Sequence, residues 1–165
     1  LIFLTCDASG VMPPVSKLTP EQTSYHFING YTSKVAGTEV GITDPVRTFS
    51  ACFGEAFIVL HPNVYAKMLA QKQKDHKSDV WLVNTGWVGG KYGVGHRMDL
   101  PSTRAILDAI HDGSLANGEF ENFPVFDMKI PKTCANVDDK ILKPQNAWDA
   151  KEFDSALKAL ADGFQ

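Results

Sequence analysis

Two short apolar runs constrain the fold of this chain more than any other feature of its sequence. Residues 1–5 read Leu-Ile-Phe-Leu-Thr, and Val80–Asn84 reads Val-Trp-Leu-Val-Asn. Neither run alternates apolar with polar residues, which is typical of strands that are covered on both faces. Helical patterns lie between and after the two runs. The sequence therefore predicts an α/β protein in which both runs lie buried in one mixed sheet with flanking helices.

Capping signals and apolar spacing predict four helices. Thr19-Pro20-Glu21-Gln22 has the residues of a capping box and predicts a helix that ends near residues 29–30. A second helix is expected from residue 61 or 62 to residue 77. Its inner face is expected to carry Val64, Tyr65, Met68 and Leu69.

The third helix is expected to begin at Pro101 or Ser102 and to stop at Gly113. The fourth spans about residues 149–161. Its core side chains at helical spacing are Phe153, Leu157, Leu160 and Phe164. Residues 123–130 are expected to form a short strand before a proline-limited loop.

Composition excludes several classes of protein. A chain of 165 residues that is 44% hydrophobic can bury one core. Its net charge of -3 argues against a nucleic-acid or membrane-surface binder, and no apolar run approaches the roughly 20 residues of a membrane span. Cys6, Cys52 and Cys134 are widely spaced, which favours free thiols in a reducing compartment and predicts a cytoplasmic location.

A glycine-rich basic segment follows the second apolar run and precedes the third helix. Its glycines and cations are Gly89, Gly90, Lys91, Gly93, Gly95 and Arg97. Such a segment can bring backbone N–H groups and positive charge to a polyphosphate, or it can simply connect a hairpin. It is not a P-loop, because His96-Arg97 stands where that motif needs Lys followed by Ser or Thr.

Residues 30–44 form the other informative segment. It contains three glycines and no strong apolar period, which is typical of a long surface loop. Loops of this length are often lids or binding loops, and the alternative is a plain connection.

Several motifs together resemble one family. They are the stretch Leu-Thr-Cys-Asp-Ala-Ser-Gly-Val-Met-Pro-Pro-Val-Ser-Lys-Leu-Thr-Pro-Glu-Gln at 4–22, Ala-Gly-Thr-Glu at 36–39, Phe-Ser-Ala-Cys-Phe-Gly at 49–54, Leu-His-Pro at 60–62 and Val-Asn-Thr-Gly-Trp at 83–87. In this order they resemble the C-terminal catalytic domain of ATP-dependent phosphoenolpyruvate carboxykinases. The resemblance implies that residues 1–165 are part of a carboxykinase nucleotide-binding domain, with the P-loop and the N-terminal domain upstream. The chain also begins in a strand-like run without Met, as expected for a partial sequence.

The resemblance implies the reaction of oxaloacetate with ATP to give phosphoenolpyruvate, carbon dioxide and ADP, as in gluconeogenesis. By position, Arg97, Met98 and Thr103 correspond to ATP-binding residues of the family, although His96 replaces a more usual lysine. Residues 30–44 resemble the active-site lid. The lid residues carried over are Gly37, Thr38 and Glu39.

The same resemblance implies that the divalent metal, Mg²⁺ or Mn²⁺, is bound upstream. No catalytic residue or metal ligand is therefore assigned within residues 1–165, and the isolated fragment is expected to be inactive. The five histidines are expected to be packed or surface residues. Two alternatives stay open for the fragment alone, a non-catalytic nucleotide-binding module and a purely structural one. The sequence also leaves open whether the protein forms a homo-oligomer.

Overall fold

A computed structural model describes residues 1–164. The helices are α1 (Pro20–Asn29), α2 (Pro62–His76), α3 (Leu100–His111), α4 (Asp139–Leu142) and α5 (Ala150–Ala161). The strands are β1 (Ile2–Thr5), β2 (Val15–Leu18), β3 (Tyr31–Lys34), β4 (Val46–Phe49), β5 (Val80–Asn84), β6 (Trp87–Val88), β7 (His96–Arg97), β8 (Phe120–Asn122) and β9 (Lys129–Pro131). Three short 3-10 turns lie at Ala51–Phe53, Glu55–Phe57 and Pro144–Ala147.

One five-stranded sheet organises the described chain, in the order β1-β5-β2-β9-β8. Strand β5 pairs in parallel with β1 and antiparallel with β2, while β9 pairs antiparallel with both β2 and β8. Two separate hairpins, β3–β4 and β6–β7, complete the strand pairing. The predicted α/β class with a mixed sheet is confirmed.

Strand β5 is buried along its whole length because both faces of the sheet are covered there. Its side chains alternate between two cores, as strand geometry requires. Val80 and Leu82 join a core with Phe153 and Leu160 of α5. Trp81 and Val83 join a second core that contains Ile106 of α3. The run of apolar residues in β5 does not alternate with polar ones because an apolar core covers each face of this strand.

Strand β1 differs from the prediction of a strand covered on both faces. It lies at one edge of the described sheet, with Phe3 buried and Leu4 61% exposed. Phe3 packs in the same core as Leu82. The strand assignment is confirmed. The prediction that both faces are buried is wrong for the face that carries Leu4, as far as residues 1–164 are concerned.

Helix boundaries agree closely with the sequence signals. The capping box of α1 is present, since Gln22 N–H donates to Thr19 Oγ1 and the Gln22 side chain accepts from Thr19 N–H. The fourth predicted helix is α5, capped by Asp149; Phe153, Leu157 and Leu160 are buried on it, and Phe164 is buried after its end. Helix α3 begins at Leu100, slightly earlier than expected, because Asp99 is its cap.

Two predictions of detail are wrong. In α2, Val64 and Met68 are exposed, and Ala66 is the buried residue of that helix. Residues 123–130 do not form one strand, because residues 123–128 are the turn between β8 and β9, and β9 begins only at Lys129. Pro124 and the positive φ angles of Val125 and Asp127 reverse the chain there, since a positive φ does not fit a strand.

Candidate functional site

The glycine-rich segment is a tight hairpin. Strands β6 and β7 pair Trp87 with Arg97 and Val88 with His96, and residues 89–95 connect them. Three of the loop's N–H groups already have acceptors in the protein. Tyr92 N–H donates to Ala8 O, outside the loop, and the N–H groups of Val94 and Gly95 both donate to Lys91 O. Those three donors are therefore not free to bind a phosphate. Of the two possibilities that the sequence left open for this segment, its backbone has the form of a hairpin connection.

Arg97 stands exposed at the end of this hairpin. Its Nε donates to Thr85 O at 3.0 Å, and its guanidinium carbon lies 5.0 Å from the centroid of the Trp87 ring. Within residues 1–164 the two terminal nitrogens donate no hydrogen bond. The Nε hydrogen bond and the Trp87 ring therefore hold the Arg97 side chain in place. Its terminal N–H groups are left without a partner among the described residues, an arrangement suited to binding an anion.

Met98 and Thr103 are committed to local structure. The Met98 side chain is buried in the α3 core, and its N–H donates to Gly86 O at 2.9 Å. Thr103 Oγ1 donates to Asp99 O at 2.9 Å in the first turn of α3. The Met98 N–H is therefore not free to bind a nucleotide, whereas the Thr103 hydroxyl keeps a lone pair that can accept a hydrogen bond.

Asp99 caps α3 beside these residues. Its carboxylate accepts the Ser102 N–H at 2.7 Å, and this bond lowers the pKa of the Asp99 carboxyl below its ordinary value. The charged Asp99 carboxylate, two residues after Arg97 in the chain, would repel phosphate. An anion can therefore bind only if its attraction to the Arg97 guanidinium exceeds this repulsion.

The predicted lid segment contains a strand that the sequence did not indicate. Gly30 is the left-handed cap of α1, and β3 pairs with β4 from Tyr31 opposite Phe49 to Lys34 opposite Val46. A loop over the whole of residues 30–44 is therefore wrong. The unpaired part is shorter and forms the tip of a hairpin at residues 35–45.

The hairpin tip is held by bonds within itself. Thr38 Oγ1 donates to Val35 O at 2.7 Å, and Glu39 forms an ion pair with Lys34 at 2.8 Å. Gly37 and Gly41 have φ angles of 85° and 83°, and nothing lies within 4 Å of where their Cβ atoms would be. The tip therefore stands clear of the described remainder of the chain.

A cleft of about 940 Å³ separates the two hairpins. Its walls are the base of the β3–β4 hairpin, the loop at residues 89–94 and α5. Lining residues with polar groups include Ser9, Ser33, Arg47, Lys91, Lys151 and Glu152. The structure thus brings together the β3–β4 hairpin and the glycine-rich loop, but Arg97, Met98 and Thr103 do not line this cleft.

Sequence reasoning missed Asp7, which lies below the cleft with no exposed surface. Its carboxylate accepts the N–H groups of Ser9, Val11 and Met12, the Ser9 hydroxyl and the Tyr31 hydroxyl. Burial and the nearby Asp7 charge raise the pKa of Tyr31, so its hydroxyl keeps the proton that it donates. The sequence signal was the Asp-x-Ser spacing, typical of a side chain that bonds its own backbone two residues on.

Residues 1–164 contain no group of three or more His, Cys, Asp or Glu side chains placed to hold a metal ion. The described residues by themselves therefore do not fit a site for a divalent metal. No helix among them is long and apolar enough to cross a bilayer. All three cysteines are free, and burial raises the pKa of each thiol.

Comparison with known proteins decides the family. The family model for phosphoenolpyruvate carboxykinase matches residues 1–140. The chain belongs to the phosphoenolpyruvate carboxykinase family. Relatives named phosphoenolpyruvate carboxykinase (ATP) from Candida glabrata and Campylobacter lari are each 56% identical over 99% of the chain. A relative from Salinibacter ruber, named phosphoenolpyruvate carboxykinase (ATP) 2, is 61% identical over 90% of the chain.

The chain spans only part of these carboxykinases. It covers 31% of the Candida protein, 32% of the Campylobacter protein and 28% of the Salinibacter protein. The described cleft, the two hairpins and α5 therefore correspond to about a third of the length of these relatives.

Proposed function

We propose that the full-length protein to which this chain belongs converts oxaloacetate and ATP to phosphoenolpyruvate, carbon dioxide and ADP. One observation carries the proposal: relatives named for the ATP-dependent enzyme are 56% identical over 99% of the chain. In this reaction the bond to the departing carboxylate breaks, and its electrons form an enolate. The enolate oxygen then takes the γ-phosphoryl group of ATP, and ADP leaves.

Arg97 has the central role in the nucleotide site that we propose. Its terminal nitrogens would donate charge-assisted hydrogen bonds to ATP, while Nε and the Trp87 ring hold the guanidinium in place. The Met98 carbonyl would face the adenine side and the Thr103 hydroxyl would add a weaker contact. A divalent metal bound elsewhere in the protein would neutralise phosphate charge in the transition state.

The β3–β4 hairpin, with Gly37, Thr38 and Glu39 at its tip, would act as the lid. Support comes from its position on one wall of the cleft opposite the glycine-rich loop and from its tip, which stands clear of other described residues. A closed lid excludes water, so that the enolate is phosphorylated and not protonated to pyruvate. We also infer a cytoplasmic location, which the three free cysteines support.

The test is Arg97→Ala in the full-length protein. The loss of one charged hydrogen bond predicts a fall of about tenfold to more than a hundredfold in kcat/KM for ATP. Arg104→Ala is the matched control, because Arg104 is also exposed and lies on α3. Wild-type protein that forms no phosphoenolpyruvate from oxaloacetate and ATP would contradict the function. Unchanged ATP kinetics in Arg97→Ala would contradict the site.

A further inference from the structure

Residues 5–8, which begin at the last residue of β1, are bonded to the lid hairpin through side-chain hydroxyl groups. Thr5 Oγ1 donates to Tyr31 O at 2.6 Å, and Cys6 N–H donates to Thr32 Oγ1 at 3.1 Å. Ala8 N–H donates to Ser33 Oγ at 3.3 Å. These contacts attach β3 to residues 5–8 without a regular strand ladder.

The same segment is bonded on its other side to the glycine-rich hairpin. Trp87 N–H donates to Asp7 O at 2.8 Å, and Tyr92 N–H donates to Ala8 O at 2.9 Å. A Cβ on Gly86 would lie 2.1 Å from Asp7 O, so the chains touch through their backbones. Residues 5–8 are therefore the direct link between the two hairpins that wall the cleft.

Asp7 is the centre of this link because its side chain and its backbone reach both hairpins. The Tyr31 hydroxyl donates to Asp7 Oδ1 at 2.7 Å, and the Asp7 carbonyl accepts from Trp87. Asp7 N–H in turn donates to the Asn84 side chain at 2.9 Å, at the end of the central strand β5. No ion pair reaches the carboxylate within residues 1–164, so hydrogen-bond donors alone stabilise its charge.

We propose that Asp7 and Tyr31 are positioning residues that fix the lid hairpin relative to the glycine-rich hairpin. This inference rests on the proposed carboxykinase function. Neither residue needs to touch substrate. Their bond sets where the lid's base stands, and so whether the tip covers the reacting enolate when the lid closes.

The deciding variant is Tyr31→Phe in the full-length protein. It removes one of the five donors to Asp7 and keeps the ring that packs against Phe49 and Phe164. Tyr25→Phe is the control, because the Tyr25 ring also stacks on Phe164 but its hydroxyl does not contact Asp7. Ser33→Ala is a milder second variant that removes the Ala8 contact.

The readout is the ratio of phosphoenolpyruvate to pyruvate formed from oxaloacetate and ATP, corrected for spontaneous decarboxylation, beside the Kd for ADP. Unfolded molecules make neither product enzymatically, so lost stability alone does not change this ratio. We expect the ratio to fall by up to about tenfold in Tyr31→Phe and up to about fivefold in Ser33→Ala. Tyr25→Phe should keep the wild-type ratio, and ADP affinity should stay constant in all three.

Two outcomes overturn the proposal in distinguishable ways. If wild-type protein forms no phosphoenolpyruvate, the carboxykinase function fails and this inference fails with it. If wild-type protein does form it, and Tyr31→Phe and Ser33→Ala both keep the wild-type ratio, the function stands and the positioning role is wrong. Should Tyr31→Phe not fold, Ser33→Ala decides alone.

Discussion

The two hairpins that wall the cleft both depend on glycine, but for opposite reasons. In the β6–β7 hairpin, a Cβ on Gly95 would lie 2.4 Å from the carbonyl oxygens of Val88 and Gly90. In the β3–β4 hairpin, Gly37 and Gly41 have open space around them and are required only by their positive φ angles. One hairpin is closed by tight backbone packing, whereas the tip of the other has open space around both of its glycines.

The largest predicted effect is on the packed hairpin. Gly95→Ala should destabilise the protein by about 3 kcal/mol or more, because its methyl group cannot fit between two carbonyl oxygens. Gly93→Ala in the same loop and Gly41→Ala in the lid both have positive φ and open space. Each should cost only about 1–2 kcal/mol. Thermal unfolding of the three variants checks the order, and equal losses would erase the contrast between the hairpins.

A second prediction concerns pH beneath the lid hairpin. Burial lowers the pKa of His26 from 6.5 to about 4, and its ring packs on Phe164, which also contacts Tyr31 and Phe49 at the lid's base. The unfolded chain binds this proton more readily, so stability is complete above about pH 6.5 and falls as the pH drops toward 4. The full loss is about 3 kcal/mol.

Hydrogen exchange at pH 7 and pH 4.5 locates this effect. Amides of β3 and β4 should lose more protection than those near β6 and β7, since His26 lies under the first hairpin. His26→Phe should remove the difference, because a phenyl ring suits the aromatic surroundings and does not titrate. Equal loss of protection in both hairpins of the wild-type protein would contradict this account.

The smallest predicted effect is that of Thr103→Val on ATP use. A neutral hydroxyl contributes about 1 kcal/mol, or roughly fivefold in kcat/KM for ATP. The Thr103 hydroxyl also bonds Asp99 O, so a melting curve must accompany the kinetics. Ser114→Ala, which loses a hydroxyl beyond the far end of α3, is the control. An effect as large as that of Arg97→Ala would show that the ranking of the two contacts is wrong.

Local signals in the sequence predicted four of the five described helices and the strands β1 and β5. The capping box at Thr19, the helical spacing of α5 and the unbroken apolar run of β5 each depend on residues close together in the chain. Strand β3 was not predicted. Its residues Tyr31–Lys34 are alternately buried and half-buried, and they lie in a segment whose glycines are typical of a loop. Its strand character comes from pairing with β4, which local patterns do not encode.

The site was predicted only in part. The glycine-rich loop and the segment at residues 30–44 were both singled out from the sequence, but their approach across one cleft depends on residues 5–8, which contact sequence up to 84 residues away. Asp7 looked like an ordinary turn residue, because its role comes from Tyr31 and Trp87 and not from its neighbours in sequence. Arg97, Met98 and Thr103 remain predictions as ATP-binding residues.

The most direct test of the account is the fate of the enolate in a protein whose lid has been stiffened. Gly37→Pro fixes φ near −65°, although the lid tip uses a φ of 85° at this position. Gly113→Pro is the control, because Gly113 also has a positive φ but lies after α3, outside the lid. We predict that Gly37→Pro keeps ADP affinity while the product shifts from phosphoenolpyruvate toward pyruvate, and that Gly113→Pro keeps the wild-type ratio. A Gly37→Pro protein with wild-type ratio and wild-type rate would contradict the lid assignment.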